Sequence, residues 1–473
     1  MPASQTVTNS TASSASGSAF RTIAPAIPLA IALLHGALTS NAATPQAPAG
    51  APQQTVSPIS ANTLAAVKCG GGTPASPACQ APYPMLSKGH PVDWWFVFKL
   101  NAAKFPKCGG GLESRACPFG GTVQTTPSYE HFGQQYVFAS AEAPTLQSGT
   151  SGCAGTGVND PVGATFDEVY NGQYHYLIWN DQPYGDPPLN GCTGDGCGGP
   201  WGHSKGLLAW NDAGEGFVMQ VSTPSWPLAG SAKFPRKTDG NTLGCVKDND
   251  VDVSQHFFAL RLTKPDLVVV LQALSNASVV TDPKNPQIAN NGGPPDVQAL
   301  VNSLGPKSKS TTVENTVLST GVRLIAKPSD LNVPPWQMVS SVLGGISLRT
   351  ANWWMDPAID STTAATSIGC WSSTLAKPGA VDIATTGQWN NVVFSLKGGP
   401  GTDSNHAKLG VSTSGTEHYA IFGDMNQQGA LSGDCASSQN GRGGMFFVVD
   451  NPQLSASVSS LISGESAPVQ PQP

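Results

Sequence analysis

Apolar and polar positions alternate over short stretches along most of this chain, and the period lengthens toward four in only a few places. A period of two marks a strand, because successive side chains on a pleated backbone face opposite ways. On that basis strands are predicted at residues 94–100, 174–179, 205–210 and 217–221. The last two flank Asn211-Asp212-Ala213-Gly214-Glu215-Gly216, a run of turn formers that makes them a hairpin. Further strands are expected at 267–271, 322–326, 392–396, 419–422 and 445–449.

Helical spacing is rarer. Thr165-Phe166-Asp167-Glu168 has the spacing of a capping box, with Phe166, Val169 and Tyr170 on one face of a short helix. Pro294-Pro295-Asp296 opens a segment carrying Val297, Leu300, Val301 and Leu304, and Pro334-Pro335 opens one carrying Trp336, Val339 and Leu343. Leu454, Val458, Leu461 and Ile462 define a closing helix. Strands alternating with short helices predict an α+β protein: a mixed sheet flanked by helices in an αβα sandwich, built more than once.

Composition sharpens this picture. Of 473 residues only 11% are charged, while 53 Gly and 40 Pro favour short elements joined by long loops and exclude coiled coils and long helical arrays. The formal net charge of -6 excludes a clamp that grips nucleic acid through bulk positive charge. Ten cysteines with no C-x-x-C pair read as disulfides formed in an oxidising compartment, with the connectivity open.

Residues 1–42 have the parts of a secretory leader: Arg21, an apolar run at 23–38, and the small residues Ser40-Asn41-Ala42. Residues 43–66 read as a flexible Pro/Ala-rich linker and 465–473 as a loose tail. No later apolar stretch is long enough for a membrane anchor. The expected location is secreted or periplasmic, with an acidic compartment as one destination.

The candidate chemistry is a pattern that occurs twice, His203-Ser204-Lys205 and His406-Ala407-Lys408. Each opens an apolar alternating segment, so each histidine shares a strand face with its lysine. Two imidazoles and two ammonium groups in one cleft suit a phosphodiester. The lysines neutralise the non-bridging oxygens, one neutral imidazole attacks phosphorus, and the other, protonated, donates to the leaving oxygen. No metal and no cofactor is required. His175 and His256 read as core residues of apolar strands, and His418 as structural.

At these residues the chain resembles the deoxyribonuclease II family of acid endonucleases, a distant branch of the phospholipase D superfamily. The resemblance runs through 91–100, Trp179-Asn180-Asp181-Gln182-Pro183, Gly202-His203-Ser204-Lys205-Gly206 and Gly240-Asn241-Thr242-Leu243-Gly244-Cys245. It continues through His406-Ala407-Lys408, Gly423-Asp424-Met425-Asn426 and Arg442-Gly443-Gly444. It implies two phospholipase D-like halves, 67–265 and 266–464, forming an intramolecular pseudodimer around a central cleft. His203, Lys205, His406 and Lys408 carry over as catalytic residues, and Asn426 as a substrate-binding residue at the site edge. Ser225 stands where the family tends to have asparagine and is the second substrate-binding candidate.

The implied activity is metal-independent hydrolysis of DNA at acid pH, with double-stranded DNA as the expected substrate and base or strand preference left open. It leaves 3′-phosphate and 5′-hydroxyl ends and passes through a phosphohistidine. The residues leave open which imidazole attacks and which donates; His203 is taken as nucleophile and His406 as acid. Oligomeric state is open as well. The alternatives are a phosphodiesterase acting on RNA or phospholipid, or an inactive secreted protein that binds nucleic acid. Positive charge is expected to concentrate at His203, Lys205, His406 and Lys408, so that binding strengthens as pH falls through the histidine range.

Overall fold

The computed structural model describes residues 80–106, 119–120, 135–150, 152–155, 157–189, 191–192, 196–237, 241, 243 and 252–471. The expected leader and linker lie outside the described residues, as do Cys69, Cys79, Cys108, Cys117 and Cys245.

The molecule is α+β, with its helices distributed around two large sheets. Strand β1 (Trp94–Lys99) explains why the pattern of the chain looks so apolar. Trp94, Phe96 and Phe98 enter one core and Trp95 and Val97 another, so alternation is hidden where both faces are covered. The same holds for β2 (His175–Asn180), β3 (Lys205–Trp210), β4 (Gly216–Val221) and β5 (Gln255–Leu262). These five run antiparallel in the order β2-β3-β4-β5-β1, extended at one edge by Ala289–Asn290 and at the other by Tyr136–Ser140 and Gln147–Ser148.

The second sheet holds β6 (Arg323–Lys327), β7 (Leu348–Ala351), β8 (Leu409–Ser412), β9 (Tyr419–Gly423) and β10 (Gly444–Asp450). Its order is β7-β8-β9-β10-β6, with these five antiparallel; Glu314–Val317 adds an antiparallel edge strand at β6, and Val381–Ile383 pairs parallel with β7 at the other edge, so this sheet is mixed. Helices fall at matching places in the chain. Helix α1 (Pro161–Tyr170) separates β1 from β2 and α2 (Lys264–Asn276) follows β5. After α3 (Pro295–Ser303), α4 (Pro335–Val342) separates β6 from β7 and α5 (Pro452–Leu461) follows β10. Five strands and two helices of each sheet therefore follow one plan.

The sheets meet face to face across a shared core that also takes the apolar stripes of α2, α3 and α5. Phe422 of β9 sits at its centre, stacked on Phe96 at 4.3 Å and on Phe258 at 4.7 Å between ring centroids. The outer face of the first sheet is covered by α1, through Phe166, Val169 and Tyr170. That of the second is covered by α4, whose Trp336 meets Phe446 edge to face. Two disulfides, Cys192–Cys197 and Cys370–Cys435, join described residues.

Three expectations are corrected. Residues 267–271 belong to α2, not to a strand: Leu267, Val270, Leu271 and Leu274 form one helical stripe, and Thr263 with Asp266 makes the capping box that starts it. Helix α1 begins earlier than the Thr165–Glu168 spacing suggests, because Asp160 is its N-cap and accepts from the Gly163 amide. Thr165 lies inside the helix and donates to the Pro161 carbonyl. Of the expected loose tail, the described residues 465–471 are held in place, since the amides of Ala467 and Gln470 donate to Ile383 and Ser361, and Ala467 is buried.

The ring stack makes a direct prediction. Phe422→Ala should cost about 3–5 kcal/mol, as large aromatic truncations in well-packed cores do. Denaturant unfolding measures it; a loss under about 1 kcal/mol would mean that the two sheets do not depend on this contact.

Candidate active site

The four catalytic candidates sit where the sheets meet. His203 lies two residues ahead of Lys205, which opens β3, and His406 lies two residues ahead of Lys408, which immediately precedes β8. All four are buried, His203 to 7% and His406 to 5% residual exposure. The imidazole centroids are 6.5 Å apart with the rings steeply inclined at 76°. Sequence analysis placed each histidine with its own lysine; the fold brings the two pairs together.

Each histidine is held by the main chain of the opposite sheet. The His203 amide donates to the Gly443 carbonyl at 2.8 Å, and its Nδ1 donates to the Asp424 carbonyl at 2.7 Å. The His406 amide donates to Ser254 at 2.7 Å, and its Nδ1 donates to the Ser222 carbonyl at 2.8 Å. Ser222 and Asp424 follow β4 and β9; Ser254 and Gly443 precede β5 and β10. A carbonyl can only accept, so both rings carry a proton on Nδ1, and a neutral ring keeps its lone pair on Nε2. Nε2 is thus the atom left for chemistry in both.

The lysines are supported differently. Lys205 Nζ donates to Asp181 Oδ1 at 2.7 Å, whereas Lys408 Nζ donates to the His406 carbonyl. The Lys408 amide donates to Nδ1 of fully buried His256, so this core histidine supports the second motif. Ala407 packs in the shared core, and Ser204 accepts from the Trp179 indole. The two middle residues of the motifs are structural.

Electrostatics corrects the expected picture of charged imidazoles. Burial first, then Lys205, Arg442 and Lys408, holds His203 well below the usual imidazole range. His406 is held down by burial, Lys408, Lys205 and His203. Without substrate, burial and the neighbouring cations thus favour the neutral form of both rings. Next to His203, the Asp424 carboxyl accepts from the Met445 amide and from Gln220, and burial pushes it up to about 7.

Asn426 lies two residues beyond Asp424, with its Nδ2 donating to Gln428 and its Oδ1 buried without a protein partner. Ser225 is wholly buried at a positive φ of 56°, its amide donating to Gln182 and its carbonyl accepting from Arg236. His175 pairs with Asp212 at the rim of the first sheet, and His418 is exposed; neither joins the site. A cleft of ≈ 340 Å³ lined by Leu100, Phe105, Tyr136, Ser148 and Trp389 lies elsewhere, with none of the four catalytic candidates in its wall. Chemistry, not cavity size, locates the site.

Several participants were missed from sequence. Asp181 and Arg442 stand inside blocks that carried the family resemblance, but only the fold joins them. Trp353 meets His406 edge to face at 4.8 Å and gave no sequence signal. Among the described residues no group of three or more His, Cys, Asp or Glu is placed to hold a metal ion. No helix among them is long and apolar enough to cross a membrane.

Two Nδ1-protonated imidazoles sharing a site with two lysines are the equipment of a hydrolase that breaks phosphodiester bonds. A family model for deoxyribonuclease II matches residues 84–466. The chain belongs to the deoxyribonuclease II family and is a deoxyribonuclease-type hydrolase. It is similar to cell-death-related nuclease 7 of Caenorhabditis elegans, 22% identical over 375 residues, covering 78% of this chain and 83% of that protein. It is also similar to Plancitoxin-1 of Acanthaster planci, 27% identical over 173 residues, covering 34% of this chain and 39% of that protein.

The raised Asp424 carboxyl generates a stability prediction. Its folded value of about 7 exceeds the unfolded 3.8, so the folded protein holds the extra proton between them. The stabilisation is complete below the unfolded value and is lost as pH rises through about 7. Asp424→Asn, which leaves the carbonyl for His203 in place, should flatten the fall in Tm between pH 5 and 8. An unchanged pH dependence of Tm would remove Asp424 from this role.

Proposed function

We propose that this chain is a secreted, metal-independent acid endonuclease that cuts DNA through a phosphohistidine. The observation that supports it most directly is the pair of imidazoles at 6.5 Å, each with its proton fixed on Nδ1. His203 Nε2 attacks phosphorus while the bond from phosphorus to the 5′ oxygen breaks. His406, protonated on Nε2 in the complex, gives that proton to the leaving 5′ oxygen. Water then attacks the phosphohistidine and loses its proton to His406. The products are a 3′-phosphate, a 5′-hydroxyl and free His203. Lys205 and Lys408 balance the charge on the non-bridging oxygens, and Asn426 contacts the substrate at the site edge. Ser225, being wholly buried, contributes by holding its loop.

Acid operation follows from the burial of the imidazoles. His406 must gain a proton that burial and the lysines oppose, and a bound phosphodiester anion favours it. Binding therefore takes up a proton and tightens as pH falls. The matching strand orders support two phospholipase D-like halves, each contributing one His/Lys pair to a cleft for duplex DNA, with the boundary beyond the expected 265/266 because α2 and the Ala289–Asn290 edge strand go with the first sheet. Similarity to a nuclease over 78% of the chain favours this reading over a phospholipid phosphodiesterase or an inactive binding protein.

Plasmid nicking at pH 5 in excess chelator tests it. Wild type should nick, His203→Ala and His406→Ala should each lose on the order of 10³-fold or more, and the new 3′ ends should resist polymerase extension until dephosphorylated. Intact plasmid with wild type, or alanine variants as active as wild type, would refute the nuclease. A cyclic 2′,3′-phosphate from RNA, with DNA left intact, would transfer the site to RNA cleavage.

A further inference from the structure

Asp181 and Arg442 occupy a place that the proposed mechanism does not use. Both oxygens of the buried Asp181 carboxylate are committed: Oδ1 to Lys205 and Oδ2 to the Arg442 guanidinium, each at 2.7 Å. Asp181 directly follows β2 of the first sheet, whereas Arg442 lies just ahead of β10 of the second. The guanidinium also donates to the carbonyls of Cys197, Trp201 and Gly202, the chain that leads into His203. Its own carbonyl accepts from buried Lys327, and the next residue, Gly443, takes the His203 amide. Adjacent residues of one sheet thus fix both members of the catalytic pair on the other.

The second motif has a different support. Asn180 is opposite Lys205 in the first sheet, and continuing the β7–β8 register past Ala351↔Leu409 sets Asn352 opposite Lys408. The next residue is Asp181 in one sheet and Trp353 in the other. One position thus gives a carboxylate to a lysine, the other an indole to a histidine.

From this geometry we infer that Asp181 and Arg442 form a positioning unit that holds the Lys205 ammonium at one point of the active site and sets the electric field on His203. The inference rests on the reading of His203 and Lys205 as catalytic. An unrestrained lysine explores many rotamers, and a group that stabilises a transition state works best when already in place. Arg442 adds positive charge at His203, whereas Asp181 offsets the charge of Lys205 beside it, so removing them should move its titration in opposite directions.

The test measures kcat, KM and the pH profile of plasmid nicking for full-length Asp181→Asn and Arg442→Gln, per folded molecule. Each should lose about tenfold or more in kcat with a smaller change in KM. The Asp181→Asn profile should move to lower pH and that of Arg442→Gln to higher pH, each by about half a unit or more. A purely structural role would reduce the folded fraction and leave both profiles in place. If only one variant folds, its kcat and the direction of its shift decide. Wild-type kcat, or an unmoved profile, in a folded variant overturns the inference. His203→Ala measured alongside separates the two failures. If it is inactive and the folded variants behave as wild type, only the positioning role falls; if it cuts as wild type does, the catalytic reading falls.

Discussion

Each imidazole of the candidate active site is oriented by the main chain of the sheet that does not carry it. An imidazole on a strand end rotates freely about two bonds, and a carbonyl accepting from Nδ1 removes that freedom and fixes the tautomer at once. Because Ser222 serves His406 and Asp424 serves His203, neither site is complete on one sheet. The rest of the fold serves this exchange. The stack of Phe422 between Phe96 and Phe258 locks the sheets face to face, and the matching strand orders place equivalent carbonyls at equivalent points.

Burial then determines how the site operates. Gathering two lysines and two histidines in a buried interface suppresses protonation of the imidazoles. In the proposed mechanism a phosphodiester supplies the missing negative charge, so that substrate binding and proton uptake are coupled. That coupling reconciles a chain of net charge -6 with an anionic polymer: attraction is local, created by two motifs and not by the surface as a whole. The two motifs are not equivalent, since Asp181 restrains Lys205 while Trp353 faces His406. In the proposed mechanism this asymmetry is the physical basis on which two similar histidines take different parts.

Much of this was legible in the chain. The His/Lys triplets at strand starts, the hairpin around 211–216 and the helices opened by Pro295 and Pro335 follow from local chemistry that tertiary contacts do not override. Residues 267–271 were misread because all five are leucine or valine, a composition that suits a buried strand and a buried helix equally. Strand β5 was read only as an apolar setting for His256, without bounds, because residues buried on both faces show no alternation and leave His256-Phe257-Phe258 without a period. The carbonyls that orient the histidines carry no side-chain signal. Asp181 and Arg442 are 261 positions apart and become partners only when the sheets close.

The tautomeric state of the two histidines is the most direct measure of the reciprocal clamp. Nitrogen-15 resonances of the imidazoles, assigned with the His203→Ala and His406→Ala variants, report it without reference to activity. The account predicts that both rings are neutral at pH 7 with Nδ1 protonated and Nε2 bare, and that neither titrates until well below the ordinary histidine range. Protonation on Nε2 in either ring at neutral pH, or titration near 6.5 without substrate, would contradict it.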